Sequence, residues 1–119
     1  MIGLKRVYDK DLPADVLKVL VDRLWPRGIS KDDGIVDAWY KEISPSNELR
    51  KWYNHDPEKW EGFKEKYKRE LADKKDIIEE MRRLEKQHKK IVLLYSSKEE
   101  RLNNAVVLKE ILTGKNNTG

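Results

Sequence analysis

Val19-Leu20-Val21-Asp22-Arg23-Leu24-Trp25-Pro26-Arg27-Gly28 is the stretch that decides how this chain folds. Three apolar residues, Val19 to Val21, run straight into an acid, two arginines and a tryptophan, and a Pro/Gly turn follows. A short continuous apolar run suits a strand buried on both faces. The second strand is therefore expected at about 18–24, with its polar end carrying function. In open α/β sheets, ligands collect outside the carboxyl ends of the strands. Asp22, Arg23, Trp25 and Arg27 are the first candidate site residues for that reason.

Outward from this stretch, Ile2 to Tyr8 reads as a first strand and Asp9 to Asp15, with Pro13, as a turn or a single helical turn. A connection of about nine residues is short for a parallel crossover, so either relative direction of strands one and two is compatible with it. Ser30 to Tyr40 reads mostly as loop carrying Asp37 and Trp39. Ser44-Pro45-Ser46 announces a short helix, with Ser as N-cap and Pro in the first turn. Leu49 and Trp52 lie on one face of it, and Asn54 can end it in the left-handed conformation. Asp56-Pro57 opens the next helix, along which Trp60, Phe63, Tyr67 and Leu71 form an apolar stripe. The stripe breaks at Lys74 and restarts at Ile77, Ile78, Met81 and Leu84. The break predicts two helices, about 57–72 and 74–88, with Asp73 capping the second; one long bent helix is the alternative.

Ile91-Val92-Leu93-Leu94-Tyr95 is the strongest strand signal, short, apolar and partly β-branched. Ser97 with Glu100 three residues later forms a capping-box pattern opening the last helix, whose buried side is Leu102, Ala105, Val106, Leu108, Ile111 and Leu112. Helical material between strands two and three supports a right-handed crossover and parallel strands there. The expected fold is α/β: a small three-layer-type domain with a short, mostly parallel sheet of about three strands packed by helices. Residues 1–114 form the expected single domain, and 115–119 a polar, disordered tail.

The 119 residues suit one core. No stretch approaches the roughly 18–20 apolar residues of a membrane span, and Met1 to Tyr8 lacks a signal-peptide core. There is no cysteine. Disulfides, thiolate metal sites and cysteine nucleophiles are excluded, and a cytoplasmic location is expected. Charged residues make up 40% of the chain but nearly cancel, to +4. That mild excess suits a phosphorylated ligand or a polyanion, and equally a Lys-rich soluble surface.

If strands two and three are parallel, Asp22, Arg23, Trp25 and Arg27 meet Tyr95, Ser96, Ser97 and Lys98 at one edge. Amides opening the last helix would face the same place, and two arginines can grip a phosphate or carboxylate there. The competing reading has Asp22 paired with Arg23 or Arg27 to fix the Trp25-Pro26 turn, and Ser97 as a cap only. Strand alternation sends Asp22 and Arg23 to opposite faces unless the strand ends between them. Asn103 and Asn104 sit one turn into the expected helix, a local conflict of the kind that marks function. His55 could act as a base oriented by Asp56, although Asp56 is better used as an N-cap. Trp25 and Trp39 would wall the pocket, or serve with Trp52 and Trp60 as core. No His/Asp/Glu spacing resembles a metal site.

Several of these motifs carry a resemblance. They are Val21 to Gly28, Asp37-Ala38-Trp39, Ser44-Pro45-Ser46, Leu49-Arg50-Lys51-Trp52 and His55 to Trp60, then Tyr67 with Leu71, Leu94 to Lys98, and Asn103 to Leu108. From about Lys5 to Leu112 the chain resembles the DUF488 family, in its short YeaO-like branch. The resemblance implies a map of site residues rather than an activity. Where that pattern commonly has His just before the paired Asn, this chain has Leu102. The longer branch often carries Cys and His near positions matching 96–104. Their absence here argues against thiol chemistry such as sulfur transfer.

The functional expectation is an anion-accepting pocket at the ends of strands two and three, for a small phosphorylated or nucleotide-like ligand. Arg23, Arg27 and Lys98 would bind the anion, and Asp22 would orient an arginine or act as base. Ser96, Ser97, Asn103 and Asn104 would supply hydrogen bonds. The rivals are nucleic-acid binding through the Lys-rich helices and a protein-interaction module without catalysis. No motif specifies a reaction, a cofactor or an oligomeric state.

Overall fold

Every strand is parallel to its neighbours. A computed structural model describes residues 1–114, and the tail expected at 115–119 lies outside them. The strands are β1 (Ile2–Arg6), β2 (Leu17–Leu20), β3 (Ala38–Trp39) and β4 (Ile91–Tyr95), in the order β1-β4-β2-β3. The strand read as third in the sequence is β4, which takes the centre. It pairs Leu4 with Leu93 on one side and Val19 with Leu93 on the other. β3 adds a fourth strand where a loop was expected; its two residues pair with Val19 and Leu20.

The parallel β1–β2 relationship is reached because the two strands flank β4 rather than each other. Residues 7–16 need only return along a strand of about 17 Å and step sideways by about 10 Å. Ten extended residues reach roughly 33 Å, so the short connection suffices.

Four helices follow: α1 (Asn47–Tyr53), α2 (Trp60–Ala72), α3 (Lys75–His88) and α4 (Asn104–Leu112). The split between α2 and α3 matches the break in the apolar stripe. Asp73, however, closes α2; the N-cap of α3 is Lys74, which makes no side-chain cap bond. The α1 cap is Ser46, whose hydroxyl accepts from Leu49 N, so Pro45 precedes the helix. Asn54 ends it in the left-handed region, at φ 45°.

Strand alternation divides the core. Val19, Val21, Ile91, Leu93 and Tyr95 pack with residues of all four helices, including Tyr53, Phe63, Tyr67, Met81 and Leu108. Leu20, Val92 and Leu94 face the other way. There the cover comes from the β1–β2 and β2–β3 connections, through Leu12, Val16, Trp25, Ile29, Ile35 and Val36. The third layer is thus irregular chain with one short 3-10 turn, Lys31–Asp33, rather than an α-helix.

Candidate functional site

Past Leu20 the chain leaves the ladder, so Asp22 and Arg23 are freed from strict alternation and both line the same cleft. It lies at the carboxyl ends of β2 and β4, has a volume of about 490 Å³, and is closed on the far side by α1 and the turn after it. Its floor includes Tyr53 and Phe63, whose rings stack at 4.4 Å.

Asp22 is anchored by Ser96. One carboxylate oxygen accepts from the Ser96 amide at 2.9 Å and from the Ser96 hydroxyl at 2.8 Å. The backbone carbonyl of Asp22 accepts from Trp39 Nε1 at 2.8 Å. Burial pushes the carboxyl above the usual carboxylate range, while bonds from Ser96 and Asn104 and the charge of Arg50 oppose that rise. Asn104 also donates to Val21 O at 3.1 Å, pinning the end of β2 to α4. Beside it Tyr67, fully buried, donates to Ile43 O at 2.6 Å, and burial drives its phenol far above the ordinary value.

Arg23 donates through Nη2 to Pro45 O at 3.3 Å. Among the described residues, its Nε is the one buried side-chain nitrogen or oxygen without a hydrogen-bond partner. Buried donors are almost always paired, so this one is notable. Across the cleft, α1 contributes Asn47, Arg50 and Lys51. Arg50 reaches Asn47 Oδ1 at 3.3 Å. The wall thus holds three cationic side chains against one carboxylate.

The segment after β4 is not a helix N-terminus. Ser97 accepts from Glu99 N in a local turn, and Arg6 braces the bend by donating to the carbonyls of Ser97 (2.9 Å) and Ser96 (3.2 Å). The last helix starts six residues later than the Ser97 pattern suggested. Asn103 is its N-cap, accepting from Val106 N at 3.1 Å and donating to Glu99 O at 2.7 Å. The paired asparagines therefore sit at a helix start, where Asn is favoured.

Of the expected site residues, Asp22, Arg23, Ser96, Ser97, Asn103, Asn104 and His55 come together in the cleft. His55 follows Asn54 in a second left-handed residue, at φ 56°. Asp56 caps the next turn through Glu58 N at 3.0 Å. Lys98 lies on an adjoining shallow depression with His55, Ser97 and Glu99. Arg27, Trp25 and Trp39 lie elsewhere. Arg27 is exposed and its carbonyl accepts from Tyr8 OH. Trp25 and Trp39 meet edge to face at 5.4 Å on the opposite side of the sheet. Strand pleat explains Trp39: its neighbour Ala38 takes the helix side. Sequence reasoning gave no role to Arg50 and Lys51. The available signal was their place on α1 away from buried Leu49.

A family model described as "Inactive DUF488-N3 subclade" matches residues 1–118. YeaO of Escherichia coli (strain K12), an uncharacterized protein, is 45% identical over 113 residues, covering 93% of this chain and 96% of that one. Uncharacterized proteins of Mycobacterium tuberculosis (strain H37Rv) and Mycobacterium bovis are each 46% identical over 78 residues, 66% of this chain. Those matches span 66% of the mycobacterial relatives' own length. No solved structure is a significant match.

Proposed function

We propose a binding role for this chain, which belongs to the DUF488-N3i family, the inactive DUF488-N3 subclade. The cleft takes up a small organic anion, phosphorylated or carboxylated, and holds it without turnover. One observation carries this reading: Arg23, Arg50 and Lys51 converge on a cavity whose single carboxylate is already engaged by Ser96. Guanidinium groups match the oxygens of phosphate and carboxylate in pairs.

Two points favour binding over catalysis. The family's own description is inactive. In addition, the one carboxylate of the cleft, Asp22, is engaged by Ser96, and Asp56, the residue that would orient His55 as a base, instead caps the turn after it. Asp22 then acts as a positioning residue that ties the β2 and β4 ends together. A chain without cysteine fits a reducing cytoplasm. Among the described residues, no helix is long and apolar enough to cross a membrane.

The test is a thermal-shift screen with inorganic phosphate, organic phosphates, carboxylates and a short oligonucleotide at low and moderate salt. A ligand at 100 times its dissociation constant stabilises by about 2.7 kcal/mol. A small anion should raise the melting temperature at both salts, and Arg50→Ala should weaken the response. Stabilisation by the oligonucleotide alone, lost with salt, would replace this reading with nucleic-acid binding.

A further inference from the structure

We infer that the anion this cleft accepts carries an apolar tail, of the kind the ring of an aryl phosphate supplies; the inference rests on the anion-binding reading above. The cavity is far larger than a bare oxyanion. At about 30 Å³ per water, 490 Å³ corresponds to roughly sixteen waters, and a five-atom phosphate displaces only a few. Volumes of roughly 300–1,000 Å³ are those of pockets that enclose whole organic molecules.

The walls say which kind of molecule. Leu24 follows Arg23 directly and Leu102 precedes Asn103 directly, so each apolar side chain is one residue from a polar group of the cleft. Leu24 is 66% exposed, the most exposed large apolar residue after Met1, yet it belongs to the cavity wall. Exposed leucines are ordinary on a surface. One placed in the wall of a cation-lined cavity gives the bound molecule an apolar surface to cover. Tyr53 and Phe63 extend that surface on the floor. A ligand with its charge at Arg23 and Arg50 and its apolar tail against Leu24 or Leu102 uses both kinds of wall. A polar-tailed phosphate leaves both leucines wet.

Titration calorimetry with inorganic phosphate, glycerol 3-phosphate and phenyl phosphate tests this on the full chain. Phenyl phosphate should bind about tenfold more tightly than glycerol 3-phosphate, which requires burying about 55 Å² of apolar surface. Leu24→Ser should cut that preference to threefold or less. The exposure of Leu24 keeps the variant folded, and ring-to-methyl nuclear Overhauser contacts in the wild type report the same placement independently. Equal binding of the two esters, a preference unchanged in Leu24→Ser, or no ring contact to either leucine would overturn the apolar tail and leave the anion site standing. Failure of all three probes to bind would overturn both.

Discussion

Asn103→Ala distinguishes the two possible starts of the last helix by the sign of its effect. Asn103 is 4% exposed and makes two bonds through its amide: Val106 N to its oxygen at 3.1 Å, and its nitrogen to Glu99 O at 2.7 Å. Losing an Asn N-cap costs about 1 kcal/mol. Removing the donor to Glu99 O adds about 1 kcal/mol more. The sum, about 2 kcal/mol, lowers the melting temperature of a domain of this size by roughly 6–10 °C. If the helix instead opened at Ser97, position 103 would be helix interior, and alanine there would stabilise by about 0.5 kcal/mol. Urea denaturation followed by circular dichroism measures the difference. Asn103→Ser, which keeps a capping oxygen but loses the amide donor, should fall between wild type and Asn103→Ala. Amide exchange at Val106 should accelerate in Asn103→Ala. A variant as stable as wild type, or more so, would refute the cap.

Gly62→Ala should gain less than the usual ~1 kcal/mol of a Gly→Ala change in a helix, because a Cβ there lies 2.8 Å from the Trp52 ring. In a Trp52→Ala background the same change should recover that gain, and equal effects in both backgrounds would exclude the contact. Alkaline pH should destabilise the fold. Burial, helped by Glu80, pushes Tyr40 up to about 12, and burial also raises Tyr53, Tyr67 and Tyr95. Stability held below the ordinary tyrosine value near 10 is thus lost as pH climbs towards about 12. Absorbance at 295 nm should show native tyrosines ionising later than in urea; coincident curves would contradict the burial.

Local sequence carried the regular parts of this fold. Ile91 to Tyr95 is apolar enough to name itself as the central strand, and Lys74 interrupts the stripe where α2 gives way to α3. Asn54 ends α1 as its side chain allows. What was not legible depends on distant partners. β3 is two residues held by β2, with no pattern of its own. The Ser97 and Asn103 positions are both competent caps, and the turn braced by Arg6 and Glu99 decides between them. In the cleft, Asp22, Arg23 and Ser96 were legible because two parallel strands end together. Arg50 was not, since only the docking of α1 over those ends brings it across. Arg27 looked equivalent to Arg23 in sequence, but the turn at Trp25-Pro26 carries it out of the cleft.

The most direct test of the anion cleft is an NMR titration of the arginine Nε–H signals with phenyl phosphate. Arg23 and Arg50 should shift along saturable curves that share one dissociation constant, while Arg27 stays in place. Unmoved signals at Arg23 and Arg50, or an Arg27 signal that moves as far as theirs, would contradict the site.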